Sequence, residues 1–271
     1  MREVAARDKE VRFTALLHHV SLHRLYLAFD EVKPKAAPGV DGVSWAEYER
    51  DLAANLRDLH ERVQSGRYRA SPSRRVYIPK SDGRLRPLGI ATLEDKIVQR
   101  AVVEVLNAVY EADFRGFSYG FRPGRSPHQA LDALAVAIER KKVNWVLDAD
   151  IRDFFTSLDR GWLERFLRHR IADERVLRLI GRWLAAGVVE EGVWSEGAGT
   201  PQGASLSPSL ANPGFAYPVR NVSVCPCPCP WRCPCPVPVP SPGLAADDVL
   251  DVPIAAARHP AEPRQTQWPH N

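Results

Sequence analysis

A chain of 271 residues is long enough to bury one large core or two modest ones, so size leaves an enzyme and a binding module equally open. Lys and Arg total 37 against 33 Asp and Glu, a formal charge of +4, which is too mild an excess for a purely electrostatic nucleic-acid tether. No run of about 18 apolar residues occurs, and the start MREVAARDKEVRF is charged throughout. Neither a membrane span nor a secretory signal is expected, and a cytoplasmic location is the default.

In chain order, DLAANLRDLHERVQSG spaces Leu52, Leu56, Leu59 and Val63 as an amphipathic helix with a stop at Gly66. Next comes a basic strip, RYRASPSRRVYIPKSDGRLR, whose cations run from Arg67 to Arg86 with Asp82 as the single acid. Within it, YIPK and LRPLGI read as two strands around a Ser81-Asp82-Gly83 turn. LEDKIVQRAVVEVLNAVYEADF and SPHQALDALAVAIERKK carry helical spacing. VNWVLDADIRDFF is a β-favouring run, followed by the helix DRGWLERFLRHRI with Asp159 as its N-cap. VLRLIGRWLAAG predicts one further helix ending at Gly187, and VVEEGVWSEGAGTPQG a short hairpin leading into a glycine-rich loop.

After Asn212 the composition changes. Of 23 prolines, 14 fall in the last 59 residues, no lysine occurs there, and all five cysteines lie between Cys225 and Cys235. Proline at every second position of VCPCPCPWRCPCPVPVPSP removes backbone donors and forces extended geometry, so this stretch cannot join a sheet interior. Residues 213–271 are expected to be a disordered Pro/Cys-rich tail. A natural linker and a reading frame shifted after Asn212 both explain it, and we favour the second. The cysteines lack C-x₂-C spacing, so a zinc site is not expected.

Three groups of residues have the makings of a site. On a strand of period two, Asp148, Asp150 and Arg152 share one face while Leu147, Ala149 and Ile151 share the other. A carboxylate fixed on a strand, such as Asp150, suits divalent cations that bridge a hydroxyl and a triphosphate. The same pattern also describes a half-buried strand with solvated acids. Phe154 and Phe155 follow, either as core or as rings beside a nucleotide. Gly199-Thr200-Pro201-Gln202-Gly203 is an ordinary turn, or a loop letting backbone and Gln202 approach a ligand. Lys80 and Arg86, on neighbouring strands, are solvated cations or a grip on phosphates.

Together, five ordered blocks resemble the reverse transcriptases of the group II intron maturase type, with kinship to retron-type enzymes. They are APGVDGV at residues 37–43, IPKSDGRLRPLGIATLEDKIVQRAV, YGFRPGRSPHQAL, VLDADIRDFFTSLD and GTPQGASLSPSLAN, covering residues 35–212. The resemblance implies an α+β right-hand polymerase with an N-terminal helical segment (1–34), fingers (35–125), a partial palm (126–212) and the tail (213–271). It implies an RNA-directed DNA polymerase using Mg²⁺, an RNA template, a DNA primer and deoxynucleoside triphosphates, with intron RNA as a further partner. Asp150 resembles the first metal-binding aspartate, Ile151 its backbone neighbour, and Phe155 the ring that gates the sugar. Gln202 resembles the glutamine at the nascent base pair, and Lys80 and Arg86 the residues holding the triphosphate. Arg122 and Arg125 would face template or primer phosphates, or else form a structural salt bridge.

The family's Tyr-Ala-Asp-Asp hairpin and helical thumb are not recognisable. Ala245-Ala246-Asp247-Asp248 falls where that hairpin belongs, but it lacks the tyrosine and apolar flanks, and coincidence is the favoured reading of Asp247 and Asp248. One carboxylate without its partner binds magnesium poorly, so the chain as given is expected to be inactive. The alternative from a different class is a non-catalytic, maturase-like RNA-binding protein that assists intron folding.

Overall fold

The central helix explains most of the architecture, because its sequence is apolar on nearly every side. In the computed structural model, which describes residues 1–79, 83–141, 155, 158–197, 206, 207 and 210, this helix is α5 (Leu93–Tyr110). Twelve of its 18 residues are buried, Ile97, Val98, Ala101, Val102, Val105, Leu106 and Val109 among them, as befits a helix surrounded by others rather than lying on a surface. Each such aliphatic side chain contributes roughly 1.5–3 kcal/mol by leaving water.

Around α5 lie α1 (Arg2–Arg7), a short 3₁₀ turn (Leu17–His19), α2 (Leu22–Asp30), α3 (Trp45–Glu49) and α4 (Leu52–Gln64). Leu16, Leu25, Phe29, Leu56, Leu59 and Val63 from these elements join one core cluster with α5. α4 buries Leu56, Leu59 and Val63 as its spacing predicts, and ends beside Gly66. α6 (Pro127–Lys141) follows the YGFRPGRS segment, and α7 (Arg160–Arg170) and α8 (Glu174–Ala185) form a pair after it. Asp159 caps α7, its carboxylate accepting from Trp162 N at 2.8 Å.

One mixed sheet completes the α+β fold. The basic strip forms the antiparallel pair β1 (Ser73–Pro79) and β2 (Leu85–Ile90), with Ile78 opposite Arg86. β3 (Val188–Glu190) runs parallel to β1, and β4 (Val193–Ser195) closes a tight hairpin on β3, giving the order β2-β1-β3-β4. Glu191 and Gly192 both take positive φ (49° and 82°), the two-residue turn whose twist suits a hairpin. At Gly187, φ is +76° and an added Cβ would lie 2.5 Å from Trp194 Nε1, so a side chain there is doubly excluded.

The N-terminal segment shares its core with the later helices. Phe13 forms a parallel bridge with Ile171, and Asp173 accepts from Leu16 N at 2.7 Å and Leu17 N at 3.0 Å. Arg170, completely buried, pairs with Asp113 at 2.7 Å and donates to the carbonyls of Lys9 and Ala5. Residues 1–34 are therefore welded to the α7–α8 junction. All described residues belong to one compact unit within Met1–Val222. The expected strand at 143–155, except Phe155, and the tail at 213–271 lie outside the described residues. Among the described residues no helix is long and apolar enough to cross a membrane.

Candidate functional site

Three sequence blocks that are far apart in the chain converge at the base of the β1–β2 hairpin. Arg74 on β1 donates from Nε (3.2 Å) and its terminal nitrogen (2.8 Å) to the Pro38 carbonyl. Lys96 on α5 donates from Nζ to the Ala37 carbonyl at 2.7 Å. Burial holds the Lys96 ammonium below its ordinary range, with Asp41 opposing that shift. Gly39 lies against the start of α5: a Cβ would sit 2.5 Å from Thr92 Cα and 2.7 Å from Thr92 N. Only glycine lets these two backbones approach so closely. The APGVDGV block is thereby fixed over the N-terminus of α5, next to the strands that present the basic strip.

Beneath that junction lies a buried polar cluster. Asp95, 2% exposed, accepts from Thr92 Oγ1 at 2.7 Å, Ser71 N at 3.2 Å, Trp183 Nε1 at 3.3 Å and, closely, the Tyr68 hydroxyl. Burial pushes the Asp95 carboxyl up from its ordinary range despite these donors, and burial also pushes the Tyr68 phenol up. These bonds tie α5, the segment before β1 and α8 into one body, so the hairpin springs from a rigid base.

Of the sequence-derived site residues, Arg86 lies exposed on β2, in register with Ile78. Phe155 has helical backbone and a half-buried side chain. Arg125 is exposed, its guanidinium 5.6 Å above the Tyr119 ring. Arg122 takes the salt-bridge alternative rather than a phosphate-facing one. Its side chain is 4% exposed, pairs with both Glu111 oxygens (2.7 and 3.3 Å) and donates to the carbonyls of Arg115 (2.9 Å) and Ser118 (2.6 Å). With the Phe114 ring 4.9 Å away, this guanidinium is the hub of its own loop. Lys80, Asp150, Ile151, Gln202, Asp247 and Asp248 lie outside the described residues. Among the described residues, no three His, Cys, Asp or Glu side chains converge as metal ligands.

Reading the sequence missed Arg160. From the first turn of α7 it donates to the Gly197 carbonyl and pairs with Glu196 at 3.3 Å. It thus connects the segment after Phe155 to the one before Gly199. A cation in a first helical turn opposes the helix dipole, and that oddity is the signal that could have found it.

The family model "Reverse transcriptase (RNA-dependent DNA polymerase)" matches residues 78–225, more than half of the chain, and runs past Asn212 to the first cysteine. Protein YkfC of Escherichia coli (strain K12) is 40% identical over 77% of this chain and 57% of its own length. The group II intron-encoded protein LtrA of Lactococcus lactis subsp. cremoris is 33% identical over 69% of this chain and 31% of its own. The chain therefore spans 57% and 31% of the length of these two relatives. A chain of the solved "Partial Cas6-RT-Cas1--Cas2 complex" aligns with 75% of this chain and 34% of its own, at 25% identity and a TM-score of 0.49. With more than half its length matched, the chain belongs to the reverse transcriptase (RNA-dependent DNA polymerase) family, of the group II intron-encoded type.

Proposed function

We propose that this chain carries the nucleotide and template cradle of an RNA-directed DNA polymerase of the group II intron type, and that by itself it does not extend a primer. The observation that supports the reading is the matched span: residues 78–225 contain Lys80, Arg86, Asp150, Phe155 and Gln202, the residues that the sequence blocks single out. Arg86, exposed on β2 of a hairpin with a rigid base, is available to fork phosphate oxygens, and Lys80 would add a point charge. Phe155 excludes a sugar bearing a 2′-hydroxyl, and Gln202 contacts the nascent pair. Arg125 meets template or primer phosphates.

Reverse transcriptases generally use Mg²⁺, and the hard oxygen donors of Asp150 suit that ion. When bound, such an ion neutralises charge developing on the transferred phosphate. Asp150 lacks a recognisable partner carboxylate, and for that reason the expected outcome is binding without synthesis. The test incubates the full chain with an RNA template, an annealed DNA primer, deoxynucleotides and magnesium. Salt-dependent binding of the template–primer without extension is expected. Extension that disappears in Asp150→Asn would overturn the inactivity, and absence of binding at low salt would overturn the cradle itself.

A further inference from the structure

The segment between α5 and α6 displays aromatic rings where a soluble surface would ordinarily hide them. Phe117 is 69% exposed and Phe121 is 73% exposed. Phe121 also takes φ +52°, although Gly120 beside it does not adopt positive φ. A bulky residue in the left-handed region is costly, and a neighbouring glycine is the natural place for it. The chain thus accepts an unfavourable backbone at a residue whose ring then gains no burial. Such strain persists only where surrounding structure enforces it, and here the enforcement is visible. The buried Arg122 guanidinium holds the carbonyls of Arg115 and Ser118 and the Glu111 carboxylate, and Arg125 N bonds back to the Arg122 carbonyl at 3.2 Å.

The charges within this segment all have one sign. FRGFSYGFRPGRS, residues 114–126, contains three arginines and no acid. The nearest acids along the chain, Glu111 and Asp113, are paired with Arg122 and Arg170. With Arg122 buried, Arg115 and Arg125 are the exposed cations of the segment.

We propose that Phe117 and Phe121 form a stacking platform for unpaired nucleobases of a single-stranded nucleic acid, flanked by Arg115 and Arg125 for its phosphates; this rests on the cradle reading above and extends it from Arg125 onto the rings. Every base has a π face, so two exposed rings bind single strands with little sequence preference, and adjacent guanidiniums add backbone contacts. A duplex keeps its base faces inside the stack and offers the rings nothing.

The experiment measures fluorescence polarisation of the full chain with labelled oligouridine and with an RNA duplex of equal length. The variants are Phe117→Leu, which keeps bulk without a π face, and Phe121→Gly, which also removes the left-handed penalty. Each is expected to weaken single-strand binding roughly tenfold and leave duplex binding unchanged, with the melting temperature of Phe121→Gly no lower than that of the parent. Unchanged single-strand affinity in both variants, or equal losses for single strand and duplex, overturns the platform alone. Failure of the unaltered chain to bind either RNA overturns the platform together with the cradle.

Discussion

Replacing Asp173 with alanine tests the claim that the N-terminal segment is part of the polymerase body. One oxygen of Asp173 accepts from Leu16 N (2.7 Å) and Leu17 N (3.0 Å), and the other from Arg175 N at 2.9 Å in the first turn of α8. Loss of the cap costs about 1 kcal/mol. Two buried N–H groups left without acceptors cost about 1–3 kcal/mol each. The sum, about 3–7 kcal/mol, is a large part of the stability of about 5–15 kcal/mol usual for a domain. Urea unfolding followed by tryptophan fluorescence measures it.

The pH dependence supplies a sign that packing alone would not. Burial pushes the Asp173 carboxyl up, but the N–H donors of Leu16, Leu17 and Arg175 outweigh it and hold the carboxyl below its ordinary range. Its contribution is therefore complete above the ordinary aspartate value of about 3.9 and is lost as pH falls through the lowered folded value. Parent and Asp173→Ala should converge in stability in strong acid. A cost below about 1 kcal/mol at neutral pH, or a gap that stays constant into acid, would refute the reasoning.

Arg170→Met should cost about 3–5 kcal/mol, because it strands the buried Asp113 carboxylate, and Arg170→Met with Asp113→Leu should recover much of that loss in a double-mutant cycle. Gly39→Ala should lower stability by about 1–3 kcal/mol, since the clash is with Thr92 backbone. As its control, Gly181→Ala, inside α8 with nothing within 4 Å of the added carbon, should raise stability by about 0.5–1 kcal/mol. Thermal melts followed by circular dichroism report both glycine changes.

The local rules carried the sequence a long way. Leucine spacing and Gly66 mark α4, Asp159 marks the start of α7, and the sequence Ser81-Asp82-Gly83, of which Gly83 is described with φ +81°, marks the β1–β2 hairpin, each because the cause lies within a few residues. Asp173 shows where that stops. As an aspartate just before a helix it is readable as a cap, but its second task is performed 157 and 156 residues away in sequence, on Leu16 and Leu17. Arg170 and Asp95 were invisible for a related reason. Charged side chains are solvated by default, and nothing nearby announces that Asp113 or Tyr68 will arrive to accompany them into the core. Arg122 stood between two readings that only burial separates.

These outcomes bear on what the sequence blocks are for. APGVDGV carries a glycine that a backbone approach demands and two carbonyls that Arg74 and Lys96 hold. YGFRPGRS carries a guanidinium that shapes its own loop. Both blocks belong to the resemblance, yet their described parts are joints rather than reagents. A motif's similarity to a family thus reports how tightly its geometry is constrained, and chemistry is only one source of constraint. The distinction explains how a chain can belong to the reverse transcriptase family and hold two of its sequence blocks as rigid joints, whatever chemistry the Asp150 stretch performs.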